Sequence, residues 1–129
     1  MKKKSIRELI FLLSFILGSF SSCENEDAEY WLCNSVWLDI FDYAPHTVCY
    51  QDLTFNPDGT GVDHREYYYF DAPDGVEIYA FYWKWNPKHS HSIIMDYPDG
   101  RSYFNNVWVD RYTLKGDLDG VSVTFEAAK

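Results

Sequence analysis

Positive charge is scarce in this chain: 11 Lys and Arg stand against 20 Asp and Glu. A surface of that sign repels phosphates, so nucleic acid is not an expected partner. The short signatures of catalysis are missing as well. There is no Gly-rich phosphate loop, no nucleophile elbow, no His-Glu-x-x-His and no Cys-x-x-Cys pair. Without a motif that supplies a nucleophile, a base or a metal, the chain reads as non-enzymatic, with no cofactor and no metal. Apolar runs are short. The pronounced one, Leu9–Leu17, suits the apolar stretch of a signal peptide and falls well below the ~20 residues that span a bilayer.

What is present begins with the flanks of that run. Lys2, Lys3, Lys4 and Arg7 precede it, and Gly18-Ser19-Phe20-Ser21-Ser22 and Cys23 follow. The order resembles a bacterial lipoprotein signal, which implies cleavage before Cys23 and acylation of that cysteine, with palmitate-type chains as the membrane anchor. Glu24-Asn25-Glu26-Asp27 comes next. An acidic tract there resembles the surface-sorting signal of Bacteroidetes-type lipoproteins, implying the outer membrane and its outward face. Residues 1–22 therefore read as signal peptide, 23–33 as a lipidated acidic tether and 34–129 as a β domain. Cleavage leaves 107 residues, enough for one domain with a modest core, and takes the formal charge from −9 to −12. Such acidity favours a soluble, monomeric domain on its tether.

Cys33 and Cys49 remain once Cys23 carries lipid. An exported chain meets an oxidising compartment, so a Cys33–Cys49 disulfide is expected, with two buried thiols as the alternative. Closing that loop would contribute on the order of 3 kcal/mol.

Three Pro-Asp-Gly triplets, at 57–59, 73–75 and 98–100, punctuate the domain. Proline presets the first turn dihedral, aspartate caps its own backbone, and glycine accepts the positive φ that follows. Between them lie runs rich in Val, Ile, Tyr, Phe, Trp and Thr, which suit a pleated surface. Strands are predicted near 36–43, 47–56, 60–71, 76–86, 91–97, 101–109, 111–117 and 120–127, with a helical turn possible only before Trp37. An all-β meander of about eight antiparallel up-and-down strands follows. A sheet that long in a small domain removes its edges by closing, so a barrel is the first choice and a β-sandwich the second.

Val36-Trp37-Leu38, the hairpin Leu53-Thr54-Phe55-Asn56-Pro57-Asp58-Gly59-Thr60-Gly61 and the strand Phe81-Tyr82-Trp83 resemble small lipocalin-like lipoproteins over most of residues 34–127. The resemblance implies a closed barrel that binds a small apolar or amphipathic molecule inside.

Alternation places the interior. If each Pro-Asp-Gly is a three-residue loop, Asn56 faces Thr60 and Ala72 faces Val76. Counting onward pairs Tyr69 with Tyr79, Tyr67 with Phe81, Arg65 with Trp83 and Asp63 with Trp85, all on one side with Leu53, Gln51 and Cys49. This face is the more apolar and is assigned inward. Its rings suit a packed core, with Arg65 paired to Asp63 or stacked on Trp83. Small barrels are usually filled by their own side chains, which favours the core; the same rings also suit a pocket in which Gln51, Arg65, Tyr67, Tyr69, Tyr79, Phe81, Trp83 and Trp85 hold a small apolar or glycan-like ligand. Tyr97 and Arg101 flank the third turn and are expected to stack; Tyr97, Tyr103, Phe104 and Trp108 form a second aromatic group read as ordinary packing.

His89, His91, His46 and Asp96 are weak candidates for a metal, since a third and fourth ligand at fixed geometry are not supplied. Outside, Asp52, His64 and Lys84 fall in register but lack a nucleophile, which suits solvated charge pairing. The function expected is a lipid-anchored outer-membrane binder of a small ligand. The alternative is an accessory subunit docking on a larger cell-envelope complex.

Overall fold

A computed structural model describes residues 20–128, with side chains from Asp27 onward. The basic head and apolar run of the signal segment, and the Cys23 side chain, lie outside that description. Helix α1 (Phe20–Cys33) replaces the single turn expected before Trp37. Its last turn, from Trp31, belongs to the same compact unit as the strands, while residues 20–30 belong to a separate unit. Among the described residues no helix is long and apolar enough to cross a membrane.

Eight antiparallel strands follow: β1 (Val36–Ala44), β2 (Thr47–Phe55), β3 (Thr60–Tyr69), β4 (Ala72–Trp85), β5 (Ile93–Tyr97), β6 (Gly100–Val109), β7 (Thr113–Leu118) and β8 (Val121–Ala127). Each pairs with its sequence neighbour, and β1 pairs with β8 to close a barrel. The closing seam is brief. Trp37 pairs with Ala127 and Leu38 with Glu126, and the Ala128 N–H donates to the Val36 carbonyl at 2.8 Å. Closure covers the edges of the meander near the start of β1 and the end of β8.

The first Pro-Asp-Gly forms as expected. Gly59 N–H donates to the Asn56 carbonyl (3.0 Å), Gly59 takes φ 91°, and Asp58 accepts from both Thr60 N (3.0 Å) and Thr60 Oγ1 (2.7 Å). Leu53 then pairs with Asp63, Gln51 with Arg65 and Cys49 with Tyr67.

The second triplet does not make the turn. The chain reverses earlier, at Phe70 and Asp71, whose φ values of 48° and 65° match a two-residue hairpin, and Tyr69 pairs with Ala72. Pro73-Asp74-Gly75 lies within β4, where Tyr67 pairs with Gly75 and Tyr68 with Pro73, so Asp74 is the extra residue of a bulge. A bulge tolerates proline's missing N–H. Contacts between hairpin tips favour the earlier turn: Phe70 N–H donates to the His46 carbonyl (2.9 Å) and its ring stacks on His46 at 4.3 Å. Tyr79 therefore pairs with Asp63 rather than Tyr69, Arg65 faces Glu77 rather than Trp83, and Phe81 faces Gly61. The slip is six positions along β3. An even slip leaves every side chain on its assigned face.

The interior divides into two halves. Towards the end where α1 enters, Leu32, Trp37, Phe55, Phe104, Leu114 and Phe125 are fully buried and form one cluster with Phe81, Trp83 and Met95. The rings of Phe55 meet those of Phe81 and Trp83 edge-on at 5.5 and 5.7 Å. Both buried indoles are satisfied, Trp37 Nε1 donating to the Leu32 carbonyl and Trp83 Nε1 to the Asn56 carbonyl, each at 2.9 Å. The last turn of α1 thus stops one end of the barrel. The other end, bounded by the β1–β2, β3–β4, β5–β6 and β7–β8 turns, carries the polar interior.

Cys49 keeps a free thiol, so the expected Cys33–Cys49 disulfide is not formed. Cys33 lies just before the strand whose Trp37 pairs with Leu53, and Cys49 is four residues further along β2. That is about 13 Å of strand, beyond the ~7 Å a disulfide can bridge. Burial pushes the Cys49 thiol pKa up.

Candidate functional site

Asp63 is the centre of the polar half. Its position on β3 points its carboxylate inward, and the residue is fully buried. A bare buried carboxylate is costly, and here every lone-pair direction is used. Gln51 Nε2, its neighbour across β2, donates to Oδ1 at 3.0 Å; Arg65, two residues along on the same face, donates from Nε to Oδ1 at 3.1 Å and from Nη2 to Oδ2 at 2.8 Å; and Tyr97 on β5 donates its hydroxyl to Oδ2 at 2.8 Å. The two-pronged Arg65–Asp63 pair is the strong, planar form of such a bond. It holds the Arg65 guanidinium firmly protonated, its pKa raised chiefly by the Asp63 hydrogen bonds. Burial, then the Asp63 charge, lifts the Tyr97 phenol well above its usual range.

Above this floor the barrel is hollow. A cavity of ≈ 230 Å³ is lined by Gln51, Arg65, Tyr79, Tyr97, Asp99, Ser102, Leu118 and Asp119, from β2 to β7 and the turns at the open end. The Tyr79 ring lies 5.1 Å from the Arg65 guanidinium carbon and 6.4 Å from the Tyr97 ring, which packs on Phe81 at 5.2 Å. Tyr67 stands on the same face as Arg65; its hydroxyl donates to Glu77 Oε1 at 2.8 Å, and burial together with that bond pushes its pKa up to about 12. A larger hollow of ≈ 510 Å³ lies between the tips of the β1–β2 and β3–β4 hairpins, but it is walled by exposed and half-buried residues of β1, β2 and the two turns, with no buried polar side chain.

The residues singled out from sequence separate accordingly. Gln51, Arg65 and Tyr79 line the cavity, and Tyr67 contacts Arg65 beside it. Phe81 belongs to the packed half beneath Tyr97, and Trp83 and Trp85 lie deeper still, 6.1 Å apart ring to ring in the stopped end. Tyr69 is not interior: it is 47% exposed beyond the rim, packed on Phe70. Arg65 stacks on Tyr79 rather than Trp83, since the register moved Trp83 away.

Tyr97 does not stack on Arg101 either. Arg101 pairs across β5–β6 with Asp96 at 2.6 Å on the outer side, while Tyr97 turns inward to Asp63. Tyr103 and Trp108 are exposed, apart from inward-facing Phe104. Outside, His64 sits between Asp52 (3.6 Å) and Glu66 (3.7 Å), and Lys84 pairs with Ile94 instead of approaching it. Among the described residues no three His, Cys, Asp or Glu side chains converge as a metal would require. The cavity residues missed from sequence are Tyr97, expected to pack or to stack on Arg101, and Asp99, Ser102, Leu118 and Asp119, all contributed by strands and turns far along the chain from the central ribbon.

Compared with known proteins, the chain matches no protein-family model, no curated protein and no solved structure.

Proposed function

We propose that this chain is a non-enzymatic, lipid-anchored lipoprotein of the outer membrane whose barrel binds a small, polar, glycan-like ligand in its open half. The observation that carries the reading is the cavity itself: two tyrosine rings and several hydrogen-bonding groups converge on one hollow, above a floor fixed by the Asp63 network. Rings for a sugar face and a few placed polar groups are what small-ligand sites contain. At ≈ 230 Å³ the hollow lies below the ~300–1,000 Å³ of drug-sized sites, which suits a single ring or one residue of a glycan. The basic head, short apolar run and Cys23 support the anchor, and the acidic tract at 24–27 supports the surface location.

Chemical-shift mapping with a panel of mono- and disaccharides tests the ligand reading: Gln51, Arg65, Tyr79 and Tyr97 should move together. Shifts confined to the outer surface, or none with any member of the panel, would end it. Mass spectrometry of the detergent-extracted native protein tests the anchor. It should begin at an acylated Cys23; a product still carrying Met1 would refute that part.

A second reading has its own observation. The outer face of β1–β4 leaves Ile40, Tyr50, Val76, Ile78 and Tyr82 between 46% and 69% exposed. Apolar exposure of that extent suits an accessory subunit docked on an envelope complex. In-cell crosslinking through Ile78 should then return a defined partner, and crosslinks to lipid or to nothing would dismiss it.

A further inference from the structure

We propose that the cavity selects a ligand carrying a protonated amine, in the manner of an amino sugar, over its neutral and anionic counterparts. The inference rests on the small-ligand reading above and concerns which chemistry that hollow accepts. Its basis is the fate of the donors. Gln51 Nε2, Arg65 Nε and Nη2 and the Tyr97 hydroxyl are all spent on Asp63. Arg65 also meets the Tyr67 oxygen and the Tyr79 ring, so its charge is already answered on several sides.

Apart from Arg65 Nη1 and the Ser102 and Tyr79 hydroxyls, the polar groups left to line the hollow are acceptors. Because Asp63 accepts only hydrogen-bond donors, the Gln51 amide is fixed with its nitrogen towards Asp63 and its Oε1 towards the cavity. Gln51 is only 8% exposed, and that Oε1 accepts no hydrogen bond among the described residues. A buried acceptor left without a donor is costly, and a ligand N–H or O–H would satisfy it. Asp99 and Asp119 stand on the same wall at the mouth. Asp119 accepts only the Tyr103 N–H (2.9 Å), and neither carboxylate meets a cation among the described residues. With the Asp63 charge cancelled by Arg65, these two leave the hollow negative. A donor-rich cation fits both features, whereas a carboxylate would meet acceptors and like charge.

The test compares three ligands on one ring: glucosamine, glucose and glucuronate, titrated calorimetrically and by chemical shift against the folded domain. Glucosamine should bind about tenfold tighter than glucose, the scale of one or two rim ion pairs, and glucuronate weakest. The double variant Asp99→Asn/Asp119→Asn, in which the amide oxygen introduced at position 119 can still accept the Tyr103 N–H, should weaken glucosamine about tenfold and glucose by clearly less, so that the two bind alike. Equal binding of all three, or preference for glucuronate, overturns the amine selectivity while the small-ligand reading stands. The same loss for glucose and glucosamine in the double variant also overturns it. Absence of binding by all three overturns it as well, and the wider saccharide panel then decides whether the hollow takes a ligand at all.

Discussion

Removing Arg65 should damage this protein more than removing the charge of Asp63, and the difference follows from which partner can reach water. Asp63 is fully buried, while the Arg65 side chain keeps 30% of its surface exposed. In Arg65→Leu the carboxylate stays behind with two donors, Gln51 and Tyr97, and no counter-charge. Breaking a buried ion pair from that side costs about 3–5 kcal/mol. In Asp63→Asn the guanidinium can hydrate through its exposed side, and one amide oxygen still accepts. Two donors lose their acceptor at about 1 kcal/mol or somewhat more each, so the loss is about 2–3 kcal/mol.

The double variant Asp63→Asn/Arg65→Leu removes both charges and should cost clearly less than the two single changes together, with a coupling of about 2 kcal/mol. Urea unfolding followed by tryptophan fluorescence reads all of these as midpoint shifts at constant slope. For a domain of this size 3 kcal/mol corresponds to a fall of roughly 12–24 °C in Tm. Additive single and double changes, or an Arg65→Leu domain that unfolds like the parent, would refute the reading of Arg65 and Asp63 as one coupled unit.

Gly61→Ala should destabilise by about 1–3 kcal/mol, because a Cβ there overlaps the Phe81 ring and comes within 2.7 Å of the Thr54 carbonyl, which the β2–β3 ladder holds still; the urea midpoint reads it. Replacing Phe70-Asp71 by Asn-Gly, residues that accept positive φ, should stabilise by about 1 kcal/mol, and a loss of that size instead would place the Phe70 stack on His46 above the backbone strain. Alkali should unfold the domain. Tyr67, lifted to about 12, and Tyr97, lifted further, keep their protons in the folded state while the unfolded chain loses them near 10. The native state then binds more protons, so stability is intact below about pH 10 and falls as pH rises towards 12. In a titration at 295 nm the Tyr97 phenolate signal should appear only together with unfolding, and ionisation of every tyrosine near pH 10 in a still-folded domain would contradict the raised values at Tyr67 and Tyr97.

Much of the fold was legible because the signals were local and redundant. Alternation in Thr47–Phe55 and Thr60–Tyr69 and the turn chemistry of Pro57-Asp58-Gly59 set the β2–β3 register residue for residue. The second hairpin shows where local chemistry loses. Pro73-Asp74-Gly75 is as good a turn as the first, but reversal at Phe70-Asp71 ties the tip to His46, an inter-hairpin contact that no window of sequence displays. The face assignment survived because the slip was even. Which inward rings line a hollow and which fill the core was not legible, since Tyr79 and Trp83 share a face and differ only in depth along the barrel. Depth depends on where α1 enters with Leu32, which the sequence read as tether. The tie of Tyr97 to Asp63 is hidden from sequence for the same reason: the two lie 34 residues apart, with β4 between their strands.

The placement of the Asp63 network explains why the two halves can differ so sharply. An eight-stranded barrel of this width is readily filled by its own side chains, and the half nearest α1 is. Continuing that packing to the open end would need apolar residues at 51, 63 and 65. The chain instead places an amide, a carboxylate and a guanidinium there, which must be satisfied where they stand because the nearest water lies on one side only. Their shared bonds to Asp63 fix their rotamers, and fixed rotamers keep the wall from collapsing inward. A fully apolar substitution of all three should therefore leave a folded barrel with a smaller or absent hollow. If a crystal structure of Gln51→Leu/Asp63→Leu/Arg65→Leu kept the cavity at its present size, the network would have no part in holding it open.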